Sequence, residues 1–157
     1  EGRVVQIGPP LAVYRNPANT FVASFLGSPP MNLVEASVVR PGVLGLGAQE
    51  VGFPAGTAPG EKVLFGVRPE DLYVARPSPE RMRAARLTGT IAAVEPLGAE
   101  TLVVAELPGL RKEITARAGR DFTGRAGDAV SMDVDLDSVR LFDPATGMAR
   151  AVPGLDS

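Results

Sequence analysis

The sequence predicts an all-β fold: a small closed barrel carrying one short helix near its N-terminus. Three observations lead to that reading. About ten short runs of β-type residues follow one another, each stopped by Gly or Pro. Only one segment has helical spacing with both ends marked. Strands this short expose pairing groups unless the sheet closes on itself. At 157 residues the chain can bury roughly 70% of its unfolded surface, so it needs no covalent staples.

The helix lies within Tyr14–Asn32. Asn16 suits the N-cap, because its side-chain oxygen can accept from a free N–H of the first turn. Pro17 suits the first helical position. Phe21, Val22, Phe25 and Leu26 then follow at helical spacing and predict one apolar face. Gly27 fits the left-handed position after the last turn, and Pro29 and Pro30 forbid continuation. Ahead of the helix, Val4–Ile7 reads as a short strand stopped by Gly8-Pro9-Pro10, and Leu11–Tyr14 as one helical turn.

Beyond it the texture is β throughout. Leu33–Val39 is a strand before the Arg40-Pro41-Gly42 turn, and Val43–Leu46 and Gln49–Phe53 are short strands around Gly47. Pro54–Gly60 is a loop. Lys62–Val67 is a nearly continuous apolar run, hence a buried strand, and Leu72–Ala75 follows the Arg68–Asp71 corner. Arg76–Arg86 reads as a polar loop with room for a helical turn. Leu87–Pro96 alternates; Glu100–Leu107 and Lys112–Ala118 form a hairpin; Ala129–Asp135 and Ser138–Phe142 are the last strands. Asp143–Gly147 is a type I turn, and the tail from Met148 is expected to fray. The strand, hairpin and strand pair of Leu87–Phe142 have the texture of an OB-like barrel.

Composition narrows the chemistry. There is no cysteine and no histidine, which removes disulfides, thiolate metal sites and every Ser-His-Asp arrangement. A net charge of −2 and 5% aromatic residues argue against nucleic acid as the partner. No apolar run approaches the roughly 20 residues of a bilayer-spanning helix. The start, Glu1-Gly2-Arg3, is neither a signal peptide nor an initiator methionine, so a piece of a longer cytoplasmic protein is expected.

Candidate motifs are few. Arg68 and Glu70 flank Pro69 after a buried strand, so both side chains leave a rigid corner. They suit an internal clamp on carbonyls or carboxylates, or else a contact between domains. Glu95 and Glu100 flank the Pro96–Ala99 turn; with no histidine or nucleophile beside them, they face water rather than catalyse. Asp133, Asp135 and Asp137 mimic the start of a calcium loop, but Ser138 and Pro144 stand where its Gly and Glu belong. There is no G-x-x-x-x-G-K-[ST], and Gly45-Leu46-Gly47 lacks the third glycine of a dinucleotide loop, so the chain is not expected to bind ATP. No catalytic, metal or cofactor residue is assigned.

The chain also resembles a family. Gly2–Asn32 is similar to G-x-h-x-Q-x-G-x-P-x-x-x-Y-x-x-P-x-N-x-F-V-A-x-F-h-G-x-P-x-M-N, the segment that follows the nucleotide-binding domain in ATPase subunits of sugar-type ABC importers (the maltose, multiple-sugar and glycerol-phosphate group). Phe65–Leu72 resembles the G-h-R-P-E-x-h signature of their C-terminal regulatory domain, and Val94–Thr101 its V-E-x-L-G-x-E segment. Gly127-Asp128 with Leu141-Phe142-Asp143 and Gly147 resembles the closing motif. One departure is Gly8-Pro9-Pro10, where the family has Gly-Thr-Pro; the lost hydroxyl weakens the first turn.

The resemblance implies a linker and helix over residues 1–32, an OB-like regulatory domain over 33–147 and a tail over 148–157. It implies that the parent hydrolyses ATP with Mg as a homodimer docked on permease subunits at the inner face of the membrane, and that those motifs lie outside this chain. Its own partners would be its nucleotide-binding domain, a second copy and a possible regulatory protein. Phe21, Phe25, Arg68, Glu70, Glu95 and Glu100 are the contact candidates. A small-oxyanion site near Gly98 or Gly127, as in molybdate-type relatives of the barrel, is the alternative.

Overall fold

Alternation lays down the first sheet. The computed structural model describes residues 8–27, 29–54 and 58–151, so the expected strand Val4–Ile7 lies outside the described residues. In β1 (Asn32–Arg40), Val34, Ala36 and Val38 are buried while Glu35 faces out. The chain turns at Gly42 into β2 (Val43–Leu46) and β3 (Gln49–Gly52), and β4 (Lys62–Val67) pairs antiparallel with the other side of β1.

The second half forms a closed five-stranded barrel, but not from Leu87–Phe142 alone. β6 (Ala84–Pro96), β7 (Glu100–Glu106), β8 (Ile114–Gly119) and β9 (Ala129–Asp135) supply four walls. The fifth is β5 (Leu72–Val74), which comes from before the loop and closes the ring by pairing parallel to β8 and antiparallel to β9. In exchange, β10 (Arg140–Phe142) leaves the barrel and pairs with β4, followed by β11 (Ala149–Arg150). The open sheet therefore runs β11-β10-β4-β1-β2-β3. Burial drives the exchange: Leu72, Val74, Leu141 and Phe142 are each at most 1% exposed, and one apolar cluster joins both sheets.

Two boundaries differ from expectation. β6 starts at Ala84, so Arg86 stands on a strand, and only a turn from Pro79 to Met82 occupies the loop. The start of the tail is ordered: Met148 carbonyl accepts from Asp143 N–H at 2.8 Å and Ala149 N–H reaches Ala18 carbonyl at 2.9 Å. Asp143 makes this possible by folding its carboxylate onto the N–H groups of Ala145 and Thr146.

Side-chain amides stitch sheet to barrel. Asn32, 8% exposed, accepts from Thr115 N–H at 2.8 Å and donates to Thr115 carbonyl at 2.9 Å and Val67 carbonyl at 3.0 Å. It thus acts as one more strand residue between β1 and β8. Gln49 does the same between β3 and Thr88 of β6. Where Gly47 meets Gly109, a Cβ on Gly47 would lie 2.3 Å from Pro108 carbonyl oxygen, and both glycines have positive φ. Asn32→Ala removes the partner of two half-buried backbone groups of β8 and one buried group of β4, so it is expected to cost about 3 kcal/mol. Gln49→Ala, at an exposed seam, is expected to cost under about 1 kcal/mol. Urea titration of both variants checks the ranking.

Candidate functional site

The N-terminal segment holds two short helices, α1 (Pro10–Arg15) and α2 (Thr20–Phe25), where the sequence predicted one helix after a single turn. The cap of α2 is Asn19, not Asn16: its carboxamide oxygen accepts from Val22 N–H at 2.9 Å. Asn19 holds the extended backbone that a cap needs, whereas Asn16 terminates α1 and Pro17 is buried in the bend between the helices.

The expected apolar face is also split. Ala23, fully buried, packs with Met31 and Phe142, where a small residue lets the helix approach the sheet, and Val22 is buried as well. Phe21 and Phe25, four residues apart, point the other way. They are 61% and 73% exposed and stack with ring centroids 5.7 Å apart.

Arg68 fixes this segment from beneath. The guanidinium is 3% exposed and lies 3.8 Å above the Tyr14 ring. It donates to Leu26 carbonyl at 2.5 Å, Ala23 carbonyl at 3.3 Å and Tyr14 carbonyl at 3.0 Å. These are carbonyls left unpaired as the two helices end, where a cation is favoured. Gly27 holds φ +98°, a left-handed backbone that favours glycine, and a Cβ there would sit 3.0 Å from the Arg68 Nη1. The Tyr14 hydroxyl donates to the Glu70 carboxylate. Burial first, then that bond and the carboxylate's charge, pushes the phenol up to about 12.

Arg140 works beside it. Its Nε donates to Asn16 Oδ1 at 3.0 Å and Arg15 carbonyl at 3.2 Å, while Nη1 holds Asp137 and Val139 carbonyls. Burial lowers the pKa of both Arg68 and Arg140, with nearby carboxylates opposing. Between them lies a cleft of about 470 Å³ lined by Leu11, Tyr14, Glu70 and Asp71. Asp71 is pushed up to about 6, chiefly by burial and then by Glu70 and Asp135.

The other sequence candidates are used locally. Glu95 is exposed at the end of β6. Glu100 lies 3.2 Å from Arg117 on the neighbouring strand, so the two glutamates do not form a pair. Asp133 binds Arg86 at 3.1 Å, Asp137 binds Arg83 at 2.5 Å, and Asp135 accepts from Asp137 N–H and the Ser138 hydroxyl. Gly98 and Gly127 sit in open turns with positive φ. Sequence reasoning missed Tyr14, Arg140 and Arg76. Arg76 stacks on Tyr73 and caps Glu70, Leu72 and Arg117 carbonyls. No periodic signal marks such residues, because each serves backbone that is distant in sequence.

Fold and clamp together define a regulatory β domain. Residues 27–72 match the MalK OB fold domain and residues 65–142 match the TOBE domain. The chain belongs to this OB/TOBE domain family. It is 38% identical to the sn-glycerol-3-phosphate import ATP-binding protein UgpC of Chromohalobacter salexigens, over 96% of this chain and 42% of that protein. It is 35% identical to the trehalose/maltose import ATP-binding protein MalK of Thermococcus litoralis, over 94% of this chain and 42% of that one. The chain thus spans about two fifths of the curated relatives it matches. A solved structure of the cytoplasmic molybdate-binding protein ModG shares the fold, with a TM-score of 0.56 and 20% identity over 72% of this chain and 96% of that one.

Two outcomes follow from the clamp. Arg68→Ala is expected to lower stability by about 3 kcal/mol in urea, and Arg68→Lys to recover less than half, since an ammonium cannot fork onto three carbonyls. Asp71 binds its proton more tightly folded than unfolded, so its contribution is present below about pH 4 and is lost as pH rises through about 6. Asp71→Asn is therefore expected to stabilise the domain at pH 7 by roughly 1–2 kcal/mol and to do nothing at pH 3.5. Thermal unfolding at both pH values measures the difference.

Proposed function

We propose that this chain is the regulatory and dimerisation part of the ATP-binding subunit of an ABC importer for sugars or related carbohydrates. The carrying observation is the match of nearly the whole chain to two fifths of such subunits, in a sequence without a P-loop. In this reading the chain itself performs no catalysis and needs no cofactor, and ATP and Mg belong to the parent's other region. Its partners are its own nucleotide-binding domain, a second copy, the permeases through the parent, and a regulatory protein that holds one state. Its place is then the cytoplasmic face of the membrane.

The mechanism is mechanical. The segment entering from the nucleotide-binding domain would be tied to the barrel through Arg68 and Arg140, so movement of one would carry the other. The stacked Phe21–Phe25 pair, exposed on the outer side of α2, would meet the nucleotide-binding domain. A ligand or partner that prefers one arrangement of paired domains shifts the transport cycle by its difference in affinity between states.

Sedimentation of the isolated chain across micromolar concentrations tests the pairing: a concentration-dependent dimer is expected, and a strict monomer contradicts it. In the full-length subunit, Phe21→Ser with Phe25→Ser is expected to leave unfolding of this domain within about 0.5 kcal/mol of wild type, as exposed positions do. It should also reduce transport-coupled ATP hydrolysis several-fold. Unchanged hydrolysis would remove the aromatic pair from the interdomain contact.

A further inference from the structure

A second concavity lies between the open sheet and the β7–β8 connection of the barrel. It is a groove of about 640 Å³, within the range of small-ligand sites. Its floor is the outward face of β1 and β4, where Leu33, Glu35 and Ser37 alternate with the buried residues and Lys62 stands opposite Ser37. Its far wall is the β7–β8 connection, Gly109–Lys112, which the Ala48 N–H to Pro108 carbonyl bond and the Gly47–Gly109 contact hold against the sheet. The groove therefore exists only because the barrel leans on the sheet.

Its charge is opposite to that of the chain. Lys62, Arg111 and Lys112 line it against one carboxylate, Glu35, in a protein whose net charge is −2. Lys62 and Lys112 are the only lysines in the sequence; β4 brings one and the β7–β8 connection the other to the same groove. Elsewhere Arg40 pairs with Glu50, Arg83 with Asp137, Arg86 with Asp133 and Arg150 with Glu61, while Arg15, Arg81, Arg120 and Arg125 stand in no ion pair among the described residues but do not converge on one cavity. Among the described residues no ion pair engages Lys62, Arg111 or Lys112, and Glu35 does not neutralise its diagonal neighbour Lys62. Concave walls concentrate the potential of such uncompensated cations.

We propose that this groove binds a small phosphorylated polyol, a sugar phosphate in chemical class. Lys62, Arg111 and Lys112 take the phosphate dianion, two as point charges and the arginine as a fork. The Ser37 hydroxyl and the Glu35 carboxylate take sugar hydroxyls, and Leu33 and Leu64 lie under the carbon skeleton. Three cations in a groove this size suit a compact dianion; a nucleic-acid backbone or a lipid surface calls for a longer basic track. Because the ligand bridges β1 and β4 to the β7–β8 connection, it reports metabolite level to the joint between sheet and barrel.

The test is an amide chemical-shift titration of the 157-residue chain with glucose 6-phosphate, inorganic phosphate and glucose, each up to 10 mM at low salt. Glucose 6-phosphate is expected to give saturable shifts confined to residues 33–37, 45–47, 62–64 and 109–112. Phosphate should bind at least several-fold more weakly, and glucose should give no shift. Lys62→Gln with Lys112→Gln should weaken the sugar phosphate at least tenfold, while Arg83→Gln with Arg86→Gln leaves it unchanged. Absence of saturation, equal binding by inorganic phosphate, equal binding by the lysine variant, or shifts spread over every arginine-bearing surface would each overturn the site. None of these outcomes bears on whether the chain dimerises.

Discussion

One buried cation sets the terms for the rest of the molecule. The Arg68 guanidinium is removed from water and repaid by Leu26, Ala23 and Tyr14 carbonyls and the Tyr14 ring. A charge in that position is tolerable because both terminal nitrogens are engaged, while Nε is buried without a hydrogen-bond partner. Helices of six residues have no stability of their own. Their carbonyl ends would be open in solution; with Arg68 in place, α1 and α2 become part of the domain's surface rather than an appendage. Pro69 holds the corner from which the arginine projects, and Glu70, one residue on, fixes the Tyr14 ring that the cation stacks upon.

The strand exchange gives that clamp its reach. β10 leaves the barrel to pair with β4, and the turn after it returns the chain to Ala18 and Thr20. The first and last described elements therefore lie together, joined by the Asn19–Met148 bridge and by Arg140. Meanwhile β5 passes from the sheet side to close the barrel, and Asn32 and Gln49 span the remaining seams. Neither sheet can shift without breaking hydrogen bonds to the other.

Much of this was legible in the sequence where local rules decide. Alternation in Leu33–Val39 and the apolar run Lys62–Val67 gave their strands, and Gly27 and Gly42 take the positive φ that their turn and cap positions require. The all-β class and the OB-like barrel followed from the same signals. The errors have non-local causes. Asn16 and Asn19 are both good caps by type, and only packing of Pro17 in the bend decides between them. The spacing put Phe21, Val22, Phe25 and Leu26 on one apolar face, yet Val22 and Ala23 are the buried residues and the two rings stay exposed. β11 carries no β signal at all and exists because β10 offers an edge. Arg140 and Arg76 were invisible, since a carbonyl-capping arginine looks like any surface arginine until its partners are located.

The central claim is that Arg68 makes the N-terminal helices and the sheet one cooperative body. Native-state hydrogen exchange across a denaturant series tests it most directly, comparing the amides of Val22–Leu26 with those of β4. The account predicts that both sets merge into the same opening reaction as denaturant rises, and that the merger is lost in Arg68→Ala. Helix amides that exchange by a separate, low-energy opening in the wild type would contradict it.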